Sequence, residues 1–194
     1  MAFSERVAVI LVNYESGNDL VAALWSLAQS GRSPDVFIVV DNDSRDDSLH
    51  LAQKDFPQLV IIRNSENVGF AKAVNQGLRK AKEFGATHIW LFNPDARARN
   101  DALSRLVLAA KQTPRAIFSP IILDGQGKVR VRHHAQRVGV VGRVAPVVLP
   151  DRAEHLAVVV RVHSPVLDQR QRLGVGHRLQ LGAVGVVQVD RLGR

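Results

Sequence analysis

Cysteine is absent from the 194 residues. That excludes a disulfide-stapled scaffold, cysteine zinc sites and thiol chemistry. Aromatic residues are scarce at 5%. All ten (Phe3, Tyr14, Trp25, Phe37, Phe56, Phe70, Phe84, Trp90, Phe92, Phe118) lie in the first 118 positions. No apolar run approaches the ~18 residues of a membrane-spanning helix. The apolar stretch at residues 7–12 is also too short for a signal-peptide core, and no small-residue cleavage site follows it. The expectation is a soluble cytoplasmic protein, with peripheral attachment at the inner face of a membrane left open.

What is present is ordinary in amount. Hydrophobic residues make up 46% and charged residues 23%, as in a globular protein and unlike disordered, collagen-like or coiled-coil chains. The net charge of +8 is unevenly spread. Residues 1–130 hold 16 basic and 14 acidic side chains, whereas residues 131–194 hold 10 and 4. The basic excess belongs mainly to the last third, so the two parts need separate readings.

The first 120 residues alternate two periodicities. Apolar runs at 7–12 and 36–40 suit strands buried on both faces, 59–62 and 88–92 read as a third and a fourth strand, and 116–119 offers a fifth. Between them lie helical patterns. Leu20, Ala23, Leu24 and Leu27 share one helical face after Asn18-Asp19, with Gly31 as the stop. Asp46-Asp47 open a short helix that ends before Pro57, with Asp43, Asp46 and Asp47 read as helix-start charges. Residues 69–84 carry Phe70, Val74, Leu78 and Ala81 on one face and are ended by Gly85. Residues 100–111 form the last helix. Alternation of this kind predicts an α/β fold with a doubly wound, mostly parallel sheet. Trp25, Phe70 and Trp90 are expected in its core.

The polar residues fall at strand ends. The first, second and fourth runs end in Asn13-Tyr14-Glu15, Asp41-Asn42-Asp43-Ser44 and Asn93-Pro94-Asp95. The third is followed by Asn64-Ser65-Glu66-Asn67-Val68-Gly69, which opens a helix. Any one of these is readily a helix cap or an Asx-turn. In a parallel sheet, however, the C-terminal strand ends form one rim, where ligands bind. The chemistry suits a nucleoside diphosphate. Asp41 can accept from a base or ribose edge. The helix start at 67–69 offers backbone N–H groups to an anion, with Gly69 permitting close approach. Asp95 can hold Mg²⁺ or Mn²⁺ against a pyrophosphate.

These clusters, in this order, resemble family 2 glycosyltransferases of the GT-A fold, especially the rhamnosyltransferase-like branch. The matching stretches are residues 9–14, 39–44, 64–77 and 91–96. The third is the most specific, because it fixes asparagine, glycine and aromatic residues across a loop-to-helix junction. The resemblance covers residues 6 to about 125. It implies a nucleotide-sugar donor held by Val12, Asn13, Tyr14, Asp41, Asn67, Gly69 and Asn93. The Asn93-Pro94-Asp95 segment takes the place of the family's Asp-x-Asp motif, so Asp95 carries most of the charge toward a Mg or Mn divalent cation. Family members transfer the sugar to an acceptor hydroxyl, with a carboxylate from the C-terminal half as general base. The branch suggests dTDP-rhamnose, with UDP-sugars open, and a glycan or lipid-linked acceptor in polysaccharide or cell-wall synthesis.

Residues 1–125 are thus expected to form the nucleotide-sugar-binding half, and residues 126–194 an atypical Val/Arg/Gly-rich tail. Residues 131–194 contain 17 Val, 10 Arg and 7 Gly but lack Lys, Ile, Phe, Trp, Tyr, Asn, Thr, Met and Cys. Every residue there except Ser164 can be written with a codon beginning in G or C, 63 of 64. Out-of-frame reading of a GC-rich gene from a frameshift near residues 126–131 accounts for this. Selection on a fold does not. Strand character survives at 138–141 and 157–160, without the mixed sizes that pack a unique core. His133-His134 lacks further ligands at metal spacing, and Gly174-Val175-Gly176 is not a dinucleotide fingerprint. Asp151, Glu154, Asp168 and Asp190 are left unassigned as a base.

The leading functional reading is the donor half of a glycosyltransferase, with the acceptor and base half missing. A nucleotide-sugar-binding module without catalysis is the second. A basic nucleic-acid-binding protein acting through its tail is the third. No specific nucleic-acid partner is expected, because no aromatic is interleaved with the arginines.

Overall fold

The computed structural model describes residues 5–112 with their side chains, and the backbone of three strands at 117–123, 142–148 and 158–161. In chain order the elements are β1 (Val7–Asn13), α1 (Asp19–Ala28), β2 (Val36–Asp41), α2 (Ser48–Asp55), β3 (Val60–Arg63) and α3 (Phe70–Glu83). They continue with β4 (His88–Phe92), β5 (Arg97–Ala98), α4 (Ala102–Gln112), β6 (Ile117–Leu123), β7 (Gly142–Val148) and β8 (Val158–Arg161). The strands form one sheet in the order β3-β2-β1-β4-β8-β6-β7-β5. Its first four are mutually parallel. β8 lies antiparallel to both β4 and β6, β6 pairs parallel with β7, and β5 pairs antiparallel with β7.

Successive side chains of a strand point to opposite faces, and the apolar runs fill two cores on that rule. Val7, Val9 and Leu11 join Phe37, Val39, Trp90 and Phe92 in a cluster with α1, α2 and α4. Ala8 and Ile10 join Val36, Ile38, Val40, Ile89 and Leu91 in a second cluster with α3. Helices thus cover both faces, as the unbroken hydrophobicity of these strands requires.

Helix α1 buries Leu20, Ala23, Leu24 and Leu27, the four positions that the sequence periodicity picks out. Trp25 does not join them. It is 41% exposed, packs its ring against Phe56 at 4.9 Å and donates its indole N–H to Asp55 Oδ2 at 3.0 Å. The reason is angular, because Trp25 follows Leu24 by one residue and so points about 100° away from the buried stripe. Trp90 is fully buried and meets Phe92 edge-on at 5.1 Å. Phe70 is partly buried against the α3 cluster. Helix α3 approaches β1 closely at Gly77, where a Cβ would stand 2.6 Å from Ile10 Cγ2. No side chain larger than hydrogen fits there without displacing Ile10.

The strand anticipated at 157–160 corresponds to β8, and that at 116–119 to the start of β6. The segment 138–141, the pair His133-His134, residues 174–176 and the four unassigned tail carboxylates lie outside the described residues. Among the described residues, no helix is long and apolar enough to cross a membrane.

Candidate functional site at the C-terminal rim of the parallel strands

From β1 the chain steps outward to β2 and β3, then returns to the other side of β1 as β4. Such a reversal opens a crevice at the strand ends on either side of β1. The register brings the expected clusters to it. Asn13 pairs with Asp41, Asp41 with Arg63 just before Asn64, and Leu11 with Phe92 just before Asn93. Four stretches separated by up to 80 positions therefore meet at one edge.

Asn13 is fully buried, and its side chain holds this edge together. The amide N–H groups are shared among Asp41 Oδ1 at 2.7 Å, Ser48 Oγ at 2.9 Å and Ser44 Oγ at 3.0 Å. Its carbonyl accepts from the Ser16 hydroxyl. Asp41, also buried, takes a second hydrogen bond on Oδ2 from the Ser44 N–H at 3.3 Å. Asp46 fastens the adjoining loop. It accepts from the Gly17 N–H at 2.7 Å, from the Ser48 N–H at 3.2 Å and from the Ser48 hydroxyl. Burial is the largest single influence on the Asp46 carboxyl and acts upward. The donors from Ser48, Gly17 and the Ser48 backbone together outweigh it, and the group is held below its ordinary range. Asp46 was expected as a helix-start charge, and its role extends across to the β1–α1 loop. Asp43 instead adopts a left-handed turn conformation at φ 65°.

Tyr14 projects from this rim with 54% of its surface exposed, and Val12 beneath it is half-buried. On the β3 side, four amides form a chain. Gln76 on α3 and Asn64 exchange two hydrogen bonds, at 2.8 and 3.0 Å. Asn64 also donates to Asn42 Oδ1 at 2.9 Å, and Asn42 donates to Asn67 Oδ1 at 3.3 Å. Asn67 Oδ1 in turn accepts from the Gly69 N–H at 3.0 Å. Gly69 has φ 81° and ψ 160° at the start of α3, a region open almost solely to glycine.

Beyond β4 the chain turns at once. The Ala96 N–H donates to the Asn93 carbonyl at 3.1 Å, with Pro94 at the second turn position, where its fixed φ is favoured. Asn93 is buried. Arg97 braces the turn by donating to the Ala96 and Pro94 carbonyls at 2.9 and 3.3 Å and to Asp19 Oδ1 at 2.7 Å. Asp95 is held at the third turn position. Its Oδ1 is buried and has no hydrogen-bond partner among the described residues. A buried carboxylate oxygen without a partner is costly unless a cation or donor meets it. Oxygen is also the ligand that Mg²⁺ and Mn²⁺ prefer. Among the described residues, no group of three or more His, Asp or Glu side chains could hold a metal ion by itself. A divalent cation fits here on one protein carboxylate with the rest of its shell drawn from substrate phosphates and water, as is common for Mg²⁺.

Sequence reasoning did not single out Ser16, Ser48, Gln76 or Arg97. The available signal for Gln76 is its place three residues after the buried Ala73, on the margin of the apolar face of α3. The other three carry none, because their partners are set by loop geometry.

The family model described as Glycosyl transferase family 2 matches residues 8–170, which runs 45 residues beyond position 125. An N-acetylglucosaminyl-diphospho-decaprenol L-rhamnosyltransferase of Mycobacterium tuberculosis is 28% identical over 135 residues, 65% of this chain and 44% of that protein. The structure of S. aureus TarS 1-349 in complex with UDP superposes with a TM-score of 0.57 at 19% identity, covering 66% of this chain and 38% of that one. A mannosyltransferase of Pyrobaculum calidifontis in complex with GDP-Man and Mn2+ gives 0.54 at 22% identity, over 62% and 36%. These structural likenesses establish the GT-A arrangement of sheet and helices, and the chain spans less than half the length of each of these proteins. A family match over most of the sequence, on a sheet whose strand ends converge as described, makes this chain a member of glycosyl transferase family 2.

Proposed function

We propose that the rim binds a nucleoside-diphosphate sugar and that the chain acts as the donor-binding part of a glycosyl transfer to an acceptor hydroxyl. The observation that carries this reading is the buried, unpartnered Oδ1 of Asp95 at the same strand-end edge as Asp41 and the Asn67–Gly69 turn. Val12, Asn13 and Tyr14 line the first strand end. The Asn13 side chain is consumed by its neighbours, so it shapes the site rather than reaching into it. The exposed Tyr14 ring is suited to stacking on a planar base. The turn at Asn67–Gly69 presents the start of α3 to an anion, and Gly69, whose own N–H is taken by Asn67 Oδ1, permits close approach. Asn93, buried, opens the turn that carries Asp95.

A Mg²⁺ or Mn²⁺ ion held by Asp95 would supply positive charge against the diphosphate as it leaves. The chain's own residues do the remainder. Asp41 and the loop around Asn67 orient the nucleotide, and the Asn93–Ala96 turn fixes the carboxylate. Support for a rhamnosyl donor comes from the rhamnosyltransferase relative. Support for a UDP-sugar comes from the UDP-bound structural neighbour. A glycan or lipid-linked acceptor in polysaccharide synthesis is the matching setting.

Calorimetric titration of the full chain with UDP and with dTDP, each with and without Mn²⁺, tests the reading. The expected result is binding that Mn²⁺ strengthens and that Asp95→Asn makes insensitive to Mn²⁺. Binding unchanged by both metal and substitution overturns it. Mn²⁺ alone is expected to bind weakly, since the protein offers it one carboxylate.

A further inference from the structure

We infer that Gln76, in the second turn of α3, is a positioning residue that sets the Asn67–Gly69 turn through Asn64 and Asn42. The inference rests on the donor-binding reading for its consequence but on geometry for its existence. Four amides stand in line from the helix to the turn: Gln76, Asn64, Asn42 and Asn67. Each of the first three gives an N–H to the next, and the last accepts from the backbone N–H of Gly69.

The choice of residue type follows from the donor and acceptor inventory. An amide side chain offers both an acceptor oxygen and two N–H donors. Asn64 uses all three groups: it donates to Asn42 and to Gln76 and accepts from Gln76. An ionised carboxylate at this position would lose both donations, and a hydroxyl has one proton for two acceptors. The reciprocal pair with Gln76 fixes the plane of the Asn64 amide. That plane fixes where its second N–H points, and so places Asn42 Oδ1. Asn42 is buried and can turn little, so its N–H is aimed at Asn67.

Two backbone bonds hold the same residues at their strand ends. The Asn42 N–H donates to the Asn13 carbonyl and the Asn64 N–H to the Asp41 carbonyl, both at 2.9 Å. The asparagine backbones therefore belong to the sheet, while Gln76 belongs to the helix whose first turn would meet the phosphates. The chain of amides ties the angle of that helix to the position of its own entry turn. Asn67 and Gly69 are exposed, so their order depends on such ties. Loosening Gln76 should release a turn with which it shares no direct hydrogen bond.

The experiment is residue-resolved amide hydrogen exchange on the full chain, with the Gly17 N–H as an internal reference held on the opposite side of the rim by Asp46. In Gln76→Leu, exchange at Gly69 is expected to rise about five- to tenfold, the worth of one net hydrogen bond, with Gly17 unchanged. Gln76→Glu, which keeps the acceptor and loses the donor, should give a smaller rise and serves if the leucine variant does not fold. Asn67→Ala should raise exchange at Gly69, and adding Gln76→Leu to it should raise it no further. UDP or dTDP affinity in Mn²⁺ should fall by a similar factor in Gln76→Leu. Unchanged exchange at Gly69, or an equal rise at Gly17, overturns the inference. If the exchange pattern is as expected but the unaltered chain binds no nucleoside diphosphate, the amide relay stands and the donor reading falls. If nucleotide binds but Gly69 is indifferent to Gln76, the reverse holds.

Discussion

Asn13 and Asp41 are register partners across the parallel pair β1–β2, and an Asn13 amide N–H donates to Asp41 Oδ1 at 2.7 Å. Both are buried at the last position of their strands. The contact works because one side chain donates and the other is an acceptor. Asn13→Asp keeps the shape and removes the donors. Two carboxylates then share the site, one of which must be raised in pKa. Denaturant unfolding at neutral pH is expected to show a loss larger than that of Asn13→Ala, itself about 1–3 kcal/mol for stranded buried partners. The excess should shrink as pH is lowered, because the raised group then takes up its proton.

Gly77 is held to hydrogen by Ile10. A methyl group there gains about 1 kcal/mol of helix propensity but meets Ile10 Cγ2 at 2.6 Å, and overpacking typically costs about 1–3 kcal/mol. Ile10 is 1% exposed and has nowhere to swing, so the clash should win. Gly77→Ala is expected to lower the unfolding midpoint. Ile10→Ala should cost less in the Gly77→Ala background than alone, since it opens the space that the new methyl needs.

Gly69 presents the opposite case. Nothing lies within 4 Å of where its Cβ would be, so the penalty in Gly69→Ala is conformational, on the order of 1–3 kcal/mol. Because the strain sits at an exposed turn, it should appear as weakened nucleotide binding with a modest change in the unfolding midpoint. A fall in midpoint as large as that of Gly77→Ala, with affinity intact, would contradict this.

Acid should unfasten the β1–α1 loop. The Asp46 carboxyl is held below its ordinary range in the folded chain. Between that lowered value and the ordinary one, the unfolded chain binds more protons, so stability rises with pH across this window. The contribution is complete above the ordinary aspartate range and is lost as pH falls through the lowered value. Asp46→Asn should flatten that part of the stability profile. Glu5 behaves in the same sense, chiefly through its hydrogen bond from Lys111, and its replacement should remove a separate share.

Residues 131–194 carry a prediction about their gene. If they are read out of frame, another frame of the locus downstream of codons 126–131 should encode a continuation with lysine, isoleucine and aromatic residues that resembles the family. A locus whose other frames close at early stops, with no such continuation, would instead fit the family match through residue 170 in the frame given. Resequencing decides between them.

The parallel half of the fold was legible because each strand from β1 to β4 is a short apolar run and each helix shows its face. His88–Phe92 coincides with its anticipated bounds, and the α1 stripe is the anticipated one. The meeting of Asn13, Asp41 and Asn93 at one edge followed from strand polarity alone. What stayed hidden depends on three-dimensional neighbours. Asn13 looked like a ligand-facing amide, and its packing against Ser44, Ser48 and Asp41 reflects a loop path that no periodicity encodes. Trp25 looked apolar enough for the core, and one helical step places it outside.

The two tryptophans occupy contrasting surroundings, one sealed beside Phe92 and the other half in solvent against Asp55. Their emission should therefore separate by colour. Replacing Trp25 with phenylalanine would leave a lone tryptophan five residues upstream of Asp95, a built-in optical gauge of whatever settles at the end of that strand.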